Sequence, residues 1–465
     1  MSQVAPHPDR DTRLSPPLGP RVAAVCSLAA ASLTLVALVA FTAPNPAATI
    51  VALATCSLGV TGLQIGVTNA HLRWASVAIA ALFVGGTIAV LAAAGDTVAQ
   101  IEIVVAGMAI SAVLGAIALS WEIRRAVVEL WHEVPAVRRG VILINPRSGD
   151  GKPARLHLAD EACRRGIEPV VLEPGDDLRA LAEAAVARGA DALGMAGGDG
   201  SQAIVAAVAA EHGLPYVCIP AGTRNHFALD LGVDRRHPVR ALDAFGPARQ
   251  ASIDLAEVNG EVFVNNVSLG IYAQFVASDE YREAKRRTVA AMLPRLLAPD
   301  APDFGFRVAA DGEPISEPRI ILVSNNPYTL SSIAGFGSRA RLDSGALGVA
   351  TLSINRGSDV NRLVTLDIAG HPERFDGWRA WTTRRLVIEG PPASRVAIDG
   401  EARTWDPPLR FAIRPKALRV RIARRESGTS PAFLRAPVAT STAVGLARVA
   451  RGRPSGIVPD REEPT

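Results

Sequence analysis

The chain of 465 residues is poor in cysteine, in aromatic residues and in net charge. Its cysteines, Cys26, Cys56, Cys163 and Cys218, form no CxxC pair and no Cys/His metal spacing. That argues against a disulfide framework and a structural zinc site, and fits a reducing compartment. Aromatics are only 5% of residues while hydrophobic residues reach 49%, so Ala, Val and Leu supply the apolar mass. A net charge of +4 argues against a dedicated nucleic-acid binder, and a pI near 9.1 is compatible with an anionic membrane surface. The length exceeds that of one ordinary domain.

The stretch 21–121 lacks a polar face. Runs at Val22–Phe41, Ala47–Val67, Trp74–Ala94 and Ile103–Ser120 each approach the roughly 20 apolar residues that cross a bilayer. Turn signals separate them at Thr42–Pro46, Asn69–Arg73 and Gly95–Thr97. The first run is long, three more follow and no clear small-residue cleavage site stands out, which argues against a cleaved signal peptide. Arg10, Arg13 and Arg21 precede the first run, Arg73 lies between the second and third, and Arg124 and Arg125 follow the fourth. The other two loops carry no Lys or Arg. By the positive-inside rule both termini then face the cytosol. The expectation is a four-span domain over 21–121 in the plasma membrane, after a cytosolic tail at 1–20. The lipid bilayer is its partner. Gly85, Gly86, Gly107 and Gly115 permit helix association, and the oligomeric state stays open. Trp121 and Trp131 suit an interfacial belt around a charged connector at 122–139.

From Val141 the pattern changes to alternating elements. Strands are expected at Val141–Ile144, Ile167–Leu172, Asp191–Ala196 and Tyr216–Ile219, and helices at Lys152–Arg165, Asp176–Arg188 and Ser201–Glu211. This alternation predicts an α/β nucleotide-binding domain with a largely parallel sheet over 140–250. Beyond Ala251, Asn259-Gly260 and Asp311-Gly312 read as hairpin turns. Short strands follow at Arg319–Val323, Gly348–Ile354, Arg385–Ile388, Arg395–Ile398, Leu409–Ile413 and Leu418–Ile422. They predict a β-sandwich over 251–424 with helices inserted at Tyr281–Leu297 and Val360–Ile368. The tail 425–465 is rich in Ser, Pro, Arg and Glu and reads as disordered; a short amphipathic membrane contact at Val444–Ala450 is the alternative there.

Three polar loops follow three of the parallel strands. They are Asn145-Pro146-Arg147-Ser148-Gly149, Gly197-Gly198-Asp199-Gly200-Ser201 and Pro220-Ala221-Gly222-Thr223-Arg224-Asn225-His226-Phe227-Ala228. Ligands of parallel sheets bind beyond the carboxyl ends of the strands, so these loops should converge. Gly197, Gly198 and Gly200 let backbone N–H groups approach a phosphate at a helix start, and Ser201 offers a cap and a further hydrogen bond. Asp199 is suited to hold a metal ion or orient a nucleotide. With all three loops in this order, Val141 to Ala423 resembles the diacylglycerol kinase catalytic family, which includes bacterial lipid kinases and sphingosine kinases. Arg341–Leu347 looks like the family's LDDG segment and Ile398–Glu401 like its DGE motif.

The resemblance implies ATP and Mg2+ as cofactors and a membrane lipid as acceptor, with diacylglycerol going to phosphatidic acid. It implies that Asn145, Ser148, Gly149, Gly222, Thr223 and Asn225 line the nucleotide, that Asp199 and Asp343 are metal-linked carboxylates, and that Glu401 is the general base. Two positions depart from the family pattern. His226 stands where many members have Asp, and Ser344 replaces the second acidic residue of the metal segment. Asn325 and Asn326, after a strand, are expected at the lipid entrance. An NAD kinase-like enzyme and an inactive nucleotide sensor in the membrane are the rival readings.

Overall fold

The computed structural model describes residues 15–55, 73–93, 98–271, 273, 304–310, 313–315, 318–329, 337–354, 359, 362–363, 365–366, 374–433 and 439–455. The chain divides into a helical unit, built from residues up to Glu129 and again from Phe433 onward, and a second unit over Leu130–Ala432.

In the helical unit, Leu18–Thr42 and Val98–Glu122 have the length and apolarity to cross a membrane, with mean hydropathies of 2.4 and 2.3. The expected second run is described only as a helix at Pro46–Thr55, and the third is a helix at Arg73–Ala93. Residues 56–72 and 94–97 lie outside the described residues. Polar side chains pair where the apolar helices meet. Ser27 and Ser111 each donate to the other's carbonyl, at 2.8 and 3.1 Å, and Thr87 Oγ1 donates to Thr55 Oγ1 at 2.9 Å. In an apolar surrounding these hydroxyls need such partners.

Two expectations fail at the edges of this unit. The connector 122–139 is not a linker, because the last helix continues to Leu130. An i,i+4 pair between Arg125 and Glu129 at 2.7 Å supports the extension. His132–Val134 then forms a strand paired with Ala248–Gln250. The tail 425–465 is not wholly irregular either. Ala439–Ala450 is a helix whose Leu446 and Val449 bury against Ala23, Ala24, Ala118 and Leu119. Its apolar face outweighed a polar overall composition.

The second unit starts with the expected parallel core. Gly140–Ile144 lies between Glu168–Val171 and Ala192–Gly197, and the latter pairs with Pro215–Pro220, all in parallel. The predicted helix Lys152–Arg165 is broken, since His157 takes φ 48° between helices Ser148–Arg155 and Leu158–Arg164. The helix Asp199–Glu211 begins at Asp199, with Gly198 rather than Ser201 at its cap.

The expected division at residue 250/251 is crossed twice. Ala248–Val258 is one continuous strand, and the two short strands read at Leu409–Ile413 and Leu418–Ile422 are one strand, Leu409–Ala423. A bulge between Arg414 and Leu418 bends it. Pro415 sits at that bulge, where the missing N–H disturbs no ladder. Toward its end the strand pairs in parallel with Pro215–Val217, and along its length it runs antiparallel to Ala248–Val258. The nucleotide sheet and the sandwich therefore share a strand.

The opposing sheet is antiparallel, ordered Trp378–Thr383, Leu347–Leu352, Ile320–Asn325, Asn266–Gly270, Ser394–Ile398, Glu401–Trp405. It packs through Val267, Leu269, Val323, Val349 and Val396 onto Phe263 and Phe411, whose rings meet edge to face at 6.4 Å. The Asn259-Gly260 turn forms as expected, with φ of 49° and 85°. Asp311-Gly312 and Tyr281–Leu297 lie outside the described residues, as does most of Val360–Ile368.

Candidate active site

The three loops touch one another through their glycines. The Gly222 N–H donates to Gly197 O at 3.0 Å. A Cβ on Gly222 would stand 2.5 Å from Gly198 Cα, so backbone meets backbone with no room for a side chain. A Cβ on Gly149, at φ 54°, would likewise run into the third loop, 3.3 Å from the Gly222 carbonyl and closer still to Ala221 O. Asn145 folds its own loop, its Oδ1 accepting from Arg147 N at 3.0 Å, while its backbone N–H reaches Ala196 O on the neighbouring strand. Ser148 donates its N–H back to Asn145 O.

Within the third loop the expected contact residues separate. Thr223 is exposed, but Asn225 is only 4% exposed and closes its own turn. Its Nδ2 donates to Gly222 O at 2.6 Å and its Oδ1 accepts from Gly222 N at 2.9 Å. Asn225 shapes the loop rather than presenting its amide. Lys152 ties this loop to the first, donating to Pro220 O and Arg235 O at 3.3 and 3.1 Å. Burial holds its ammonium below the ordinary lysine range.

Asp199 lies at the centre. Its Oδ2 accepts from His226 N at 2.9 Å and its Oδ1 from Phe227 N at 3.2 Å, so it anchors the start of the helix His226–Asp230. Burial raises its pKa, and these two amides, Arg339 and the Asn265 side chain oppose the rise. Ser201 sits partly buried in the first turn that Asp199 opens.

Glu401 approaches from the sandwich. It follows the tight turn Asp399-Gly400, with φ of 48° and 88°, and is exposed. The side chain leans over the glycine loop, because a Cβ on Gly200 would stand 2.8 Å from Glu401 Cδ. Arg403 Nη2 is 3.7 Å from its Oε2. Asp399 points inward and accepts the N–H groups of Val264, Asn265 and Asn266 at 2.9, 2.8 and 3.2 Å. Burial pushes its pKa up to about 7.

Asp343 is elsewhere engaged. Its oxygens take Arg341 Nε and Nη2, each at 2.9 Å, and its side chain is 2% exposed. Ser344 donates its N–H to Asn326 Oδ1 at 2.8 Å. Among the described residues no group of three or more His, Cys, Asp or Glu is arranged to hold a metal ion. Arg341 thus engages both carboxylate oxygens of Asp343. Asn325 and Asn326, expected at the lipid entrance, are fully buried braces. Asn325 Nδ2 donates to Asp254 O at 3.1 Å and Asn326 Nδ2 to Asn325 Oδ1 at 3.0 Å.

Four residues here escaped the sequence reading. Gln202 donates to Met195 O and Ile219 O, both at 3.0 Å, locking the helix to two strands. Arg339, with no exposure, pairs with the buried Asp230 at 2.6 Å. Asn265 joins Arg339, as its Oδ1 accepts from Nη2 at 2.8 Å. The only signal for Gln202 was a lone amide inside an apolar helical run.

Residues 139–258 match the diacylglycerol kinase catalytic domain family. A diacylglycerol kinase of Mycobacterium tuberculosis (strain CDC 1551 / Oshkosh) is 35% identical over 134 residues, 28% of this chain and 42% of its own. The chain thus matches less than half the length of that relative. A probable lipid kinase YegS-like protein of Pseudomonas aeruginosa is 31% identical over 282 residues, 56% of this chain and 86% of its own. Among solved structures, a diacylglycerol kinase from Bacillus anthracis str. Sterne aligns with TM-score 0.48 and 17% identity over 62% of this chain and 98% of its own.

Proposed function

As the chain belongs to the diacylglycerol kinase family, matched by one relative over 86% of that relative's length, we propose that it is a membrane-integral lipid kinase. It transfers the γ-phosphoryl group of ATP to the hydroxyl of a membrane lipid, with diacylglycerol the favoured acceptor and phosphatidic acid the product. The observation that carries this reading is the contact between Glu401 and Gly200, which joins a phosphate-binding loop to an exposed carboxylate.

Phosphoryl transfer asks the protein chiefly for positioning and charge stabilisation. Backbone N–H groups of the Gly197–Ser201 turn, at the start of helix Asp199–Glu211, meet the phosphates. Asn145, Ser148, Gly149 and Thr223 border the nucleotide, and Gly222 and Asn225 hold the loop that carries Thr223. Asp199 would be the carboxylate that holds a nucleotide-borne Mg2+, which needs only one or two such ligands and would supply charge neutralisation for the transferring group. Glu401, exposed beside that loop, takes the proton of the attacking hydroxyl.

The helical unit supports a membrane location, with two helices long and apolar enough to cross a bilayer. We assign both termini and the catalytic unit to the cytosolic side, on the Arg asymmetry of the loops and the cytosolic supply of ATP. The test is ATP-dependent phosphorylation of diacylglycerol in mixed micelles by the intact chain, with Glu401→Gln alongside. Label in the lipid that the variant loses supports the reading; phosphorylation of NAD with none of the lipid overturns it.

A further inference from the structure

Asn265 is the point where the two halves of the site meet. Its backbone N–H donates to Asp399 Oδ1 at 2.8 Å, two residues before Glu401. Its carbonyl accepts from Asn325 N at 2.9 Å. Its side-chain Oδ1 accepts from Arg339 Nη2 at 2.8 Å. The same side chain lies close enough to the Asp199 carboxylate to oppose the rise of its pKa. The residue is 3% exposed, so each of these bonds forms away from water.

The chemistry fixes which way the amide points. A guanidinium only donates and an ionised carboxylate only accepts. With Arg339 on its oxygen, Asn265 must turn its NH2 toward Asp199. Arg339 cannot swing away, because its Nε donates to Asp230 Oδ2 at 2.6 Å and its Nη1 to Asn325 O at 2.9 Å. Its guanidinium carbon also lies 5.5 Å from the centre of the Tyr328 ring. A donor-only fork bonded on several sides is a rigid support for one amide.

We propose that Asn265, with Arg339 behind it, is a positioning residue that couples the Gly197–Ser201 phosphate loop to the Asp399–Glu401 turn. Asp199 is aimed at the nucleotide by the Asn265 NH2, while the Asn265 N–H anchors the turn that presents Glu401. A shift in either half is thereby transmitted to the other. The proposal rests on the lipid-kinase reading of this cleft.

The test compares the intact wild-type chain with Asn265→Leu, Asn265→Asp, Arg339→Lys and Arg339→Met in mixed micelles, varying ATP and diacylglycerol separately. Each variant is checked for wild-type secondary structure and a cooperative melt. Losing one buried donor to a charged group lowers kcat/KM for ATP by roughly 10- to 100-fold in Asn265→Leu. The KM for diacylglycerol is unchanged. Arg339→Lys, which can still donate to Asn265 Oδ1, retains more activity than Arg339→Met. Folded variants with kcat/KM for ATP within about twofold of wild type overturn the proposal. So does a fall in kcat with both KM values unmoved, which reports only a lost active fraction. If Asn265→Leu does not fold, the comparison of Arg339→Lys with Arg339→Met decides, since only the lysine can still donate to Asn265 Oδ1. Should the wild type phosphorylate no lipid, the lipid-kinase reading fails separately. Calorimetric titration with Mg·ATP then decides for Asn265: weaker binding by the variants supports the coupling and equal binding ends it.

Discussion

The carboxylate of Glu401 lies over the α-carbon of Gly200, close enough that a Cβ on the glycine would stand 2.8 Å from Glu401 Cδ. Residues 201 positions apart in sequence thus share one surface, and the glycine is required there for space, since its φ is not positive.

Gly200→Ala tests that contact. The added methyl displaces the Glu401 carboxylate by about an ångström, which costs on the order of 100-fold in kcat. Stability should change little, because Glu401 is exposed and free to move outward. Steady-state kinetics with a melting curve on the same sample checks both halves.

Gly222→Ala should behave in the opposite way. There the obstacle is the Gly198 Cα at 2.5 Å, a backbone atom that cannot rotate aside. Overpacking of this kind costs about 1–3 kcal/mol, seen as a lower denaturant midpoint. Nucleotide affinity should fall with it, since two of the phosphate-side loops are forced apart.

Asp399 makes stability depend on pH. Burial raises its pKa from 3.8 to about 7. In this window the folded state holds a proton that the unfolded state has lost, so stability falls as pH rises. The contribution is fully present below the unfolded value and lost once pH passes about 7. Asp230, raised to about 6 by burial against the pull of Arg339, adds the same sign over a narrower range. Melting temperatures between pH 5 and pH 8 should therefore decline, with a shallower slope in Asp399→Asn; equal slopes would rule Asp399 out as a cause.

Arg341 and Asp343 form a pair whose side chains are 16% and 2% exposed. Removing one partner of a buried pair costs about 3–5 kcal/mol, so Arg341→Gln should melt earlier by an amount that Asp343→Asn in the same chain largely restores. Chelating free divalent cations in the absence of nucleotide should leave the wild-type melt unchanged, because Arg341 already neutralises Asp343.

The parallel core and the convergence of the loops were legible from strand–glycine–helix punctuation, which is local in sequence. The Asn259-Gly260 hairpin was legible for the same reason. What escaped depends on distant partners. Leu409–Ile413 and Leu418–Ile422 read as separate strands, yet pairing with two neighbours makes them one strand with a bulge at Pro415. The pairing of Asp343 with Arg341, two residues before it, was not read from the sequence. Asn265 and Arg339 carry no local signature, because their meaning lies in which buried carboxylates they reach. The helix Ala439–Ala450 was read only as an alternative amphipathic contact at Val444–Ala450, and its packing on Ala23, Ala24, Ala118 and Leu119 carries no local signal.

The most direct measurement is transfer of labelled phosphate from ATP to diacylglycerol by the intact chain, run beside Glu401→Gln and Asp199→Asn. Label in phosphatidic acid from the wild type, lost in both variants while each still melts cooperatively, is the predicted result. Equal labelling by wild type and Glu401→Gln, or none by a folded wild type that binds Mg·ATP, would contradict the account.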